Sequence, residues 1–550
     1  MITSRPATWD KVVDVVVLGS GAAGLTAATL AHDGGAEVLL VEKSDLIGGT
    51  TAVSGGMPWI PLNKHLAELG VTDTRDEAIT YIRRLTLGTE PDAALIETYV
   101  DTAAEMIDYL ETKTPLKMSA PPGFSDYYAD QPGGKPEGRS LEPVPFDART
   151  ELGEWASRVR TGPHLPWLTM EEGGKFLTGR DLPDANLAQQ RMDSDTRVLG
   201  AGLVASLFKG LLDRGVAVQT GTPAQELIVV DGAVIGVRVS GAAGDEFIGA
   251  RRAVVLASGG FEWNKQMVAG FIGQEIMPLS PPHNEGDGHR MAMEAGAQLA
   301  NMMSFWGQPA LLEPGFEIDG REVPQMASIR SMPGVMIVNR YGDRFVNEGA
   351  TYQDLPKAMA TYDPVAVDYP NRPPNWIVFD QRVRNSAVVL PTVLPGQPTP
   401  DWIFTAPTVG ELADKIGAAP ERLEATVERW NSHVAAGEDP DFHRGTFWWE
   451  AFMTGGPTPE ACMRPVSKPP YYAMELINGT IGTNGGMRID AGGRVLGAKG
   501  DAIPGLYAAG NASAGVLGRA YPGGGGTIGP ALTFGYLAGR AAAAEEPREV

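Results

Sequence analysis

The first forty or so residues alternate between the patterns of buried strands and of a helix. Residues 12–18 and 38–41 are apolar runs, typical of strands that are buried on both faces of a parallel sheet. Between them, residues 22–31 are rich in alanine and predict a helix, which Gly34-Gly35 ends. Because strand, helix and strand follow in this order, the pattern predicts a βαβ unit.

Similar patterns recur as far as the last residues. They predict a helix over 75–111, strands over 216–239 with a hairpin turn at Asp231-Gly232, a strand over 253–257, a helix over 287–300, helices over 409–416 and 421–436, a strand that runs into Gly510, and a final helix that starts near Gly529 with Pro530 in its first turn. Strands that alternate with helices in this way predict an α/β protein.

The turn between the first strand and the first helix carries the pattern GxGxxG. It reads Gly19-Ser20-Gly21-Ala22-Ala23-Gly24 and is followed by Glu42, directly after the second strand. The glycines permit a tight turn and close approach of the backbone to a pyrophosphate, and the helix start offers free N–H groups. A carboxylate at Glu42 can accept hydrogen bonds from both ribose hydroxyls. Together these features predict a dinucleotide site.

A second match, GxGxxA, covers residues 200–205, and we do not predict a nucleotide site there. The preceding residues, QQRMDSDTR, are polar and do not form a strand pattern. The helix that follows carries Leu203, Leu207 and Leu211 on one face. Without a second fingerprint no NAD(P)H site is visible, so we expect the first site to hold the redox cofactor itself.

Composition narrows the classes of partner. The formal net charge is -22 and no basic run stands out, which disfavours nucleic acid and anionic membranes. The single cysteine, Cys462, excludes intrachain disulfides, iron–sulfur ligation and a CxxCH haem site. No apolar run approaches the ~20 residues of a membrane span, and no signal pattern opens the chain, so we expect a cytoplasmic enzyme. His283 and His289 flank Asp287, but we expect capping or surface roles there and no metal.

Six segments together identify a family resemblance. They are the GxGxxG unit, GGTTAVSGGMPWIP, VVLASGGF, NEGDGHRMAMEAGA, VNRYGDRFVNE and GLYAAGNASAGVLGRAYPGGGGTIGPALTFGYLAGR. In this order the chain resembles the fumarate reductase/succinate dehydrogenase superfamily of flavoproteins, and within it the 3-ketosteroid Δ1-dehydrogenases. The resemblance implies an α/β fold in which a Rossmann-like FAD-binding domain carries an inserted α+β catalytic (cap) domain.

The resemblance and the change of texture along the chain place the domains. Residues 1–310 and 481–550 are expected to form the two parts of the FAD-binding domain, and residues 311–480, richer in Pro and Trp, the cap domain. The segment GGTTAVSGG lacks the histidine to which succinate-oxidising members attach flavin, so we expect non-covalent FAD. The expected cofactor-binding residues are Gly19, Ser20, Gly21, Ala22, Ala23, Gly24, Glu42, Lys43, Gly49, Thr50, Thr51, Ser54, Gly55, Gly56, Ala224, Ser258, Gly259, Gly260, Gly510, Asn511, Gly529, Ala531 and Leu532.

The implied reaction removes two hydrogens from the carbons α and β to a ring ketone, as in 1,2-desaturation of a 3-ketosteroid. By motif, Tyr521 and Gly525 match the pair that holds the ketone oxygen. Tyr352 matches the tyrosine that takes the α-proton before the β-hydride passes to flavin N5. Tyr127 matches the tyrosine that assists this base. Because Tyr128 is adjacent, the assisting tyrosine could be either Tyr127 or Tyr128.

Several alternatives stay open. The same chemistry on a smaller cyclic ketone of the cyclohexanone type, 4,5-desaturation of a 3-ketosteroid, and reduction of an activated C=C bond all belong to related flavoproteins. Such reductases use an arginine proton donor, and the tyrosine set disfavours them. A non-enzymatic flavoprotein is the remaining alternative. We expect a quinone-like or dye-like electron acceptor and not NAD(P).

The aromatic run Phe447-Trp448-Trp449, together with Phe452, is expected to belong to the core. If it is exposed instead, it would suit capture of an apolar substrate or loose membrane contact.

Overall fold

The structure is a computed structural model that describes residues 1–162, 167–177, 185–241 and 244–550. Two large sheets account for most of its strands, one of eight strands and one of seven. No helix within these ranges is long and apolar enough to cross a membrane.

The eight-stranded sheet forms the cofactor side of the molecule. Its order is Arg494–Leu496, Ala502–Ala508, Gly244–Leu256, Lys11–Leu18, Val38–Val41 and Ala217–Gln219, with Ala224–Val230 and Ala233–Gly241 added as antiparallel strands beside Gly244–Leu256. The central strands are parallel, with Val17 level with Leu40 on one side and Val255 on the other. Because parallel strands end at the same edge, the turns after Leu18, Val41 and Leu256 lie together.

Helices cover this sheet or extend from it. They are Ala22–Asp33, Gly49–Val53, Arg75–Thr86, Ala93–Lys113, Ala148–Leu152, Met170–Leu177, Ala185–Ser194, Leu199–Asp213, Asp287–Glu294 and Ile528–Ala544, with short turns of helix at Lys64–Leu69, Gly153–Arg158, Lys265–Met267, Val268–Ile272 and Gly510–Ala512. The first helix packs closely on the last one. A Cβ on Gly535 or Gly539 would collide with the carbonyls of Ala23 and Ala27, so small residues let the two ends of the chain meet.

The seven-stranded sheet is organised around the long strand Tyr471–Thr483. Its order is Gln325–Met326, Phe305–Leu311, Tyr471–Thr483, Asn375–Asp380 and Val335–Val338, and Met277–Pro278 and Phe404–Ala406 also pair with the long strand. Side chains alternate between two cores: Ile337 and Ile377 belong to one, while Met336 and Val378 belong to the other. The helices of this region are Ser328–Ser331, Leu355–Met359, Gln381–Ser386, Val409–Ile416, Pro420–Ala436, Glu450–Thr454 and Pro459–Cys462.

Four short antiparallel pairs complete the strands. They are Met118–Ser119 with Glu142–Pro143, Phe146–Asp147 with Thr196–Arg197, Leu299–Ala300 with Gly486–Met487, and Glu317–Ile318 with Arg321–Glu322. The seven-stranded sheet thus draws its strands from residues 277–483. The domain limits at 311 and 480 stay a proposal.

The structure corrects two of the predicted helices. The helix expected over 75–111 is two helices, because Leu87 and Gly88 both have positive φ, 52° and 75°, which ends the first one. The helix expected over 287–300 ends at Glu294, and Leu299–Ala300 is a strand. The hairpin at Asp231-Gly232 is confirmed, with φ of 50° and 79° as a type I′ turn requires.

Candidate active site

The glycine-rich turn after the first strand has a backbone that side chains would block. Gly19 has a φ of 108°, and a Cβ there would collide with the Ala257 carbonyl. A Cβ on Gly24 would collide with the carbonyl of Gly19. The turn therefore brings the start of helix Ala22–Asp33, with its positive dipole end, against the strand ends, where a phosphate could bind.

Glu42 is tied to this turn. Its Oε2 accepts hydrogen bonds from Ser20 N at 2.9 Å and Ser20 Oγ at 2.5 Å, and its Oε1 accepts one from Ser44 N at 2.9 Å. The carboxylate is buried at the end of strand Val38–Val41. It thus fixes the glycine turn, beside the place where a ribose would bind. Ala224 begins the strand near it, just after Thr222, whose N–H donates to the Glu42 carbonyl.

The small-residue segment that follows Gly48 lies against the same turn. Thr51 Oγ1 accepts a hydrogen bond from Ala22 N at 3.1 Å, and Asn284 Nδ2 donates to Thr50 Oγ1 at 2.8 Å. On the other side, a Cβ on Gly200 would collide with the Thr51 carbonyl, and one on Gly56 with the backbone of Leu199. The second GxGxxA match therefore serves close packing of helix Leu199–Asp213, as its lack of a preceding parallel strand indicated.

Ser258, Gly259 and Gly260 lie at the same edge, just after strand Gly244–Leu256. Gly259 has a φ of 76°. Within the described part of the chain, the buried Ser258 Oγ has no hydrogen-bond partner. An unpaired hydroxyl beside a glycine turn is a suitable donor to a bound ligand. Lys43 instead forms ion pairs with Glu285 and Asp287, the latter at 3.0 Å.

The C-terminal segment closes the other side of this edge. Gly510, with a φ of 68°, would place a Cβ 3.2 Å from Ala23 Cβ. Gly510 and Asn511 line a cavity with Trp306, Thr527 and Ala531, among other residues. Gly529 and Leu532 lie in the first turns of the last helix, where a Cβ on Gly529 would collide with the Trp59 carbonyl. The expected cofactor residues thus lie at one edge, beside a cavity, a helix start and an unpaired hydroxyl, and these features fit FAD.

Three tyrosines from distant parts of the chain converge beside this edge. The ring centroids of Tyr127 and Tyr352 are 5.4 Å apart, those of Tyr352 and Tyr521 5.5 Å, and those of Tyr127 and Tyr521 5.8 Å. Tyr127 and Tyr521 are almost fully buried and Tyr352 is partly buried. We call these three residues the tyrosine cluster.

Backbone hydrogen bonds position two members of the tyrosine cluster. The Pro522 carbonyl, next to Tyr521, accepts hydrogen bonds from Tyr127 N at 3.0 Å and from Tyr81 Oη at 2.6 Å. Tyr128 turns the other way, and its hydroxyl donates to Asp354 Oδ2 at 2.7 Å. The geometry therefore favours Tyr127 over Tyr128 as the residue that contacts Tyr352.

A buried ion pair network supports the loop that carries Tyr127. The Arg139 guanidinium lies between Asp73 at 2.6 Å and Asp126 at 2.8 Å, and none of the three side chains is more than 1% exposed. Trp59 Nε1 also donates to Asp126 Oδ1 at 2.7 Å. The motif SDYYAD contains Asp126, but only the fold shows that this carboxylate anchors its neighbour Tyr127.

Tyr521 and Gly525 form the most polar part of the site. Gly525 has a φ of 97°, and a Cβ there would collide with the Met57 carbonyl. Burial raises the pKa of Tyr521, while hydrogen bonds from Thr527, Tyr352 and the Gly525 backbone oppose that rise. The Gly525 backbone N–H therefore lies close to the Tyr521 hydroxyl.

Burial also raises the pKa of the two other tyrosines. It raises the pKa of Tyr352 well above its ordinary value, and the neighbouring Tyr127 and Tyr521 raise it further. Burial likewise raises the pKa of Tyr127, whereas Tyr352 and the positive charge of Arg330 lower it. In this closed arrangement both tyrosines are neutral phenols at neutral pH.

Aromatic side chains wall the tyrosine cluster. The Trp449 ring lies 4.3 Å from that of Tyr127, and the Trp306 ring 5.2 Å from that of Tyr521. Phe452 stacks on Trp449, while Trp448 points outward and is 42% exposed. The run expected to be core is therefore divided, and part of it lines the site. Sequence reasoning did not find Trp306, whose Nε1 is buried without a partner within the described residues.

His289 is also placed differently from its expected position. It is fully buried, with Nε2 2.9 Å from the Gly485 carbonyl oxygen, so the surface role expected for it is wrong. His283 does lie near the surface, 2.8 Å from Asp319.

The fold and this site define an FAD-dependent oxidoreductase, and comparison with known proteins agrees. Residues 14–528 match the family described as FAD binding domain. The chain is 39% identical to 4-oxocyclohexanecarboxylate 2-dehydrogenase of Sinomonas cyclohexanicum, over 97% of this chain and 93% of that protein. It is 38% identical to 3-oxosteroid 1-dehydrogenase of Mycobacterium tuberculosis, over 96% of this chain and 97% of that protein.

A solved structure extends the similarity to three dimensions. It is 3-ketosteroid delta1-dehydrogenase from Sterolibacterium denitrificans in complex with 1,4-androstadiene-3,17-dione, with a TM-score of 0.89 and 34% identity, covering 97% of this chain and all of that one. The chain belongs to the 3-ketosteroid Δ1-dehydrogenase family of FAD-dependent flavoproteins. The predicted family and fold class are confirmed, and so is FAD as the cofactor; its non-covalent attachment and the individual site residues stay predictions.

Proposed function

We propose that this chain introduces a carbon–carbon double bond α,β to a ring ketone, with 1,2-desaturation of 3-ketosteroids as the first candidate reaction. The observation that carries the proposal is the convergence of Tyr127, Tyr352 and Tyr521 at the edge that fits FAD. The relatives named above, which are 3-oxosteroid and 4-oxocyclohexanecarboxylate dehydrogenases, support the same class of substrate.

Tyr521 and Gly525 would hold the ketone oxygen. An α C–H bond is a poor acid, so the carbonyl must be polarised as the proton leaves. The Tyr521 hydroxyl and the Gly525 N–H would give two donors to the developing enolate oxygen. Gly525 has a positive φ and a Cβ there would collide with the Met57 carbonyl, so this position requires glycine.

Tyr352 would accept the α-proton at its phenolic oxygen. To act as a base it must first lose its own proton, which its raised pKa opposes in the closed site. In this structure the hydrogen bonds to Tyr127 and Tyr521 raise that pKa further. Tyr127 would stabilise the phenolate once Tyr352 has lost its proton and the Tyr127 hydroxyl donates to the Tyr352 oxygen. Bound FAD would supply the acceptor of the β-hydride, and the aromatic walls would exclude water from the reacting carbons.

A monocyclic ketone is the second candidate substrate. The relative of 39% identity acts, by its name, on 4-oxocyclohexanecarboxylate. In addition, the rings of the tyrosine cluster touch one another and Trp449, so the site in this structure is closely packed. A small ring would require less rearrangement of these side chains than a steroid would.

Anaerobic mixing with a panel of ketones tests the proposal and ranks the substrates. The purified protein is mixed with a 3-ketosteroid, its 1,2-unsaturated product, cyclohexanone and 4-oxocyclohexanecarboxylate, without NAD(P)H. We expect loss of the oxidised flavin absorbance with a saturated ketone and no loss with the unsaturated product. Absence of flavin reduction by every saturated ketone would refute the proposed function.

Three finer expectations accompany the proposal. The FAD is non-covalent, so heat or acid should release all flavin fluorescence from the precipitated chain. The electron acceptor is quinone-like or dye-like, so a phenazine or indophenol dye should support turnover and NAD(P)⁺ should not. Location in the cytoplasm and loose contact with a membrane stay predictions; the exposed Trp448 is the observation that motivates the second.

A further inference from the structure

We propose that Arg330 is a positioning residue of the tyrosine cluster: it holds the segment that carries Tyr352 and supplies the fixed positive charge that stabilises the phenolate base. This inference rests on the proposed function. It assigns a role to a residue that contacts neither the ketone-binding pair nor the glycine-rich edge.

Arg330 is joined to the backbone just before Tyr352. It lies in the short turn Ser328–Ser331 and is 5% exposed. Its Nη1 donates to the carbonyl oxygens of Glu348 and Ala350, the latter at 2.8 Å. The second of these carbonyls is two residues from Tyr352, so the guanidinium restrains the loop that presents the proposed base.

No carboxylate within the described residues neutralises Arg330 by a direct ion pair. The carboxylate of Glu348, the residue whose carbonyl Arg330 binds, is itself bound by Arg344 at 2.7 Å and by Arg444 at 3.2 Å. The hydrogen bonds that Arg330 forms with the described part of the chain go to carbonyl oxygens, which carry no net charge. Its positive charge is therefore free to act on neighbouring groups, and in a buried site that action is weakly screened.

The charges around Arg330 define the direction of its effect. Burial and the nearby charge of Arg444 lower the pKa of Arg330 to about 10. The opposing influence, which favours the protonated guanidinium, comes from Tyr127, Glu348 and Asp354. Arg330 thus stays a cation at neutral pH. In turn it lowers the pKa of Tyr127, which is in ring contact with Tyr352 and Tyr521.

The proton transfers of the proposed reaction show where the positive charge of Arg330 would act. For the reaction, the Tyr352 phenol first releases its proton to solvent, and Arg330 stabilises the negative charge that this leaves on the Tyr352 oxygen. The α-proton then moves from the substrate carbon to the Tyr352 oxygen, and the negative charge moves to the ketone oxygen held by Tyr521 and Gly525. Arg330 keeps its proton throughout.

Two substitutions separate the charge from the hydrogen bonds. Arg330→Gln keeps an N–H donor for the carbonyls but removes the charge, whereas Arg330→Lys keeps both. An adjacent opposite charge lowers a pKa by about 1–3 units. We therefore expect Arg330→Gln to move the acid limb of the pH profile of flavin reduction upward by about one unit or more, with at least about tenfold slower reduction below the limb and recovery at high pH. Arg330→Lys should keep a limb close to that of the unmodified protein.

Arg384 offers a matched control in the same sheet region. It is 3% exposed and also donates to carbonyl oxygens, those of Leu394 at 3.0 Å and Gln397 at 2.6 Å. Arg384→Gln should alter thermal stability without moving the acid limb. A pH-independent loss in Arg330→Gln, or the same limb in Arg330→Gln and the unmodified protein, would overturn the inference.

A spectroscopic titration keeps the inference testable apart from turnover. The ultraviolet absorbance of the phenolate is recorded against pH for the holoenzyme and for Tyr352→Phe, and their difference reports the ionisation of Tyr352. In the Arg330→Gln background this difference should shift to higher pH. If no ketone reduces the flavin but the shift is seen, the proposed function fails and the role of Arg330 stands. If a ketone reduces the flavin but no shift is seen, the proposed function stands and the role of Arg330 fails.

Discussion

The cofactor edge and the tyrosine cluster lie side by side but are built in different ways. At the cofactor edge the glycine turn, its helix and Glu42 come from one continuous βαβ unit. Their geometry depends on backbone conformation, as the positive φ of Gly19 shows. The tyrosine cluster joins residues at positions 127, 352 and 521, which only the packing of both sheets brings into contact.

This difference predicts different responses to substitution. At the cofactor edge a change alters how tightly FAD is held, because the edge is a binding surface made of backbone and one carboxylate. In the tyrosine cluster a hydroxyl can be removed while the ring and its packing remain. Phenylalanine substitutions there should affect the rate and leave FAD occupancy unchanged.

The largest effect is expected for Tyr352→Phe. Removal of a general base costs about 10²–10⁴ in rate, so flavin reduction and exchange of the α-hydrogen with solvent deuterium should nearly stop. Tyr128→Phe is the control, because its hydroxyl contacts Asp354 in the same loop. If Tyr352→Phe exchanges the α-hydrogen as fast as the unmodified protein does, Tyr352 is not the base and Tyr127 becomes the candidate.

The second effect is expected for Tyr521→Phe. Loss of one donor to an oxyanion costs about 10²–10³ in turnover, while substrate binding should weaken less because apolar contacts with the ring system remain. The pH dependence of α-hydrogen exchange should be kept, since Tyr352 remains. Tyr507→Phe, a fully buried tyrosine of the cofactor sheet whose hydroxyl contacts Glu545, should leave turnover unchanged.

The cofactor edge should respond to Glu42→Gln by weaker FAD binding. The carboxylate loses its charge-assisted hydrogen bonds to Ser20, each worth roughly 1.5–3 kcal/mol. FAD affinity should therefore fall by about tenfold or more, measured as the flavin content after dilution and as a Kd. Glu37→Gln, at an exposed glutamate paired with Arg251, should retain full flavin. Full occupancy in Glu42→Gln would argue against a cofactor role.

The smallest effect concerns Glu142, which binds the backbone of Met170, a residue packed against the tyrosine cluster. Burial raises the pKa of Glu142 from 4.5 to about 7, although its Oε2 accepts a hydrogen bond from Met170 N at 2.5 Å. The folded state thus holds a proton that the unfolded chain releases. The free energy of unfolding should therefore fall as the pH rises from 4.5 toward 7, by about 1 kcal/mol per pH unit.

Glu142→Gln removes this titration and keeps a carbonyl to accept the Met170 N–H. Chemical denaturation across that pH range should show a shallower fall in the variant than in the unmodified protein. Parallel curves for the two proteins would show that Glu142 does not titrate in this window.

Much of the cofactor side was predictable from the sequence because its signals are local. The strands Lys11–Leu18 and Val38–Val41 and the helix Ala22–Asp33 fall within two residues of their predicted limits. The rejection of residues 200–205 as a nucleotide site followed from the polar residues before them. Longer helices were less predictable, because one residue of positive φ, such as Leu87, ends a helix whose apolar spacing continues.

The sequence by itself determined the family, the α/β fold class, FAD as cofactor and the identity of the candidate tyrosines, because these depend on short motifs and on backbone needs that neighbouring residues meet. Only the tertiary structure decided that Tyr127 and not Tyr128 contacts Tyr352, that Trp449 lines the site while Trp448 is exposed, and that Arg330 lies behind the loop of Tyr352 and donates to two of its carbonyls. Adjacent residues share one sequence environment, and which of them enters a site depends on packing between segments hundreds of positions apart.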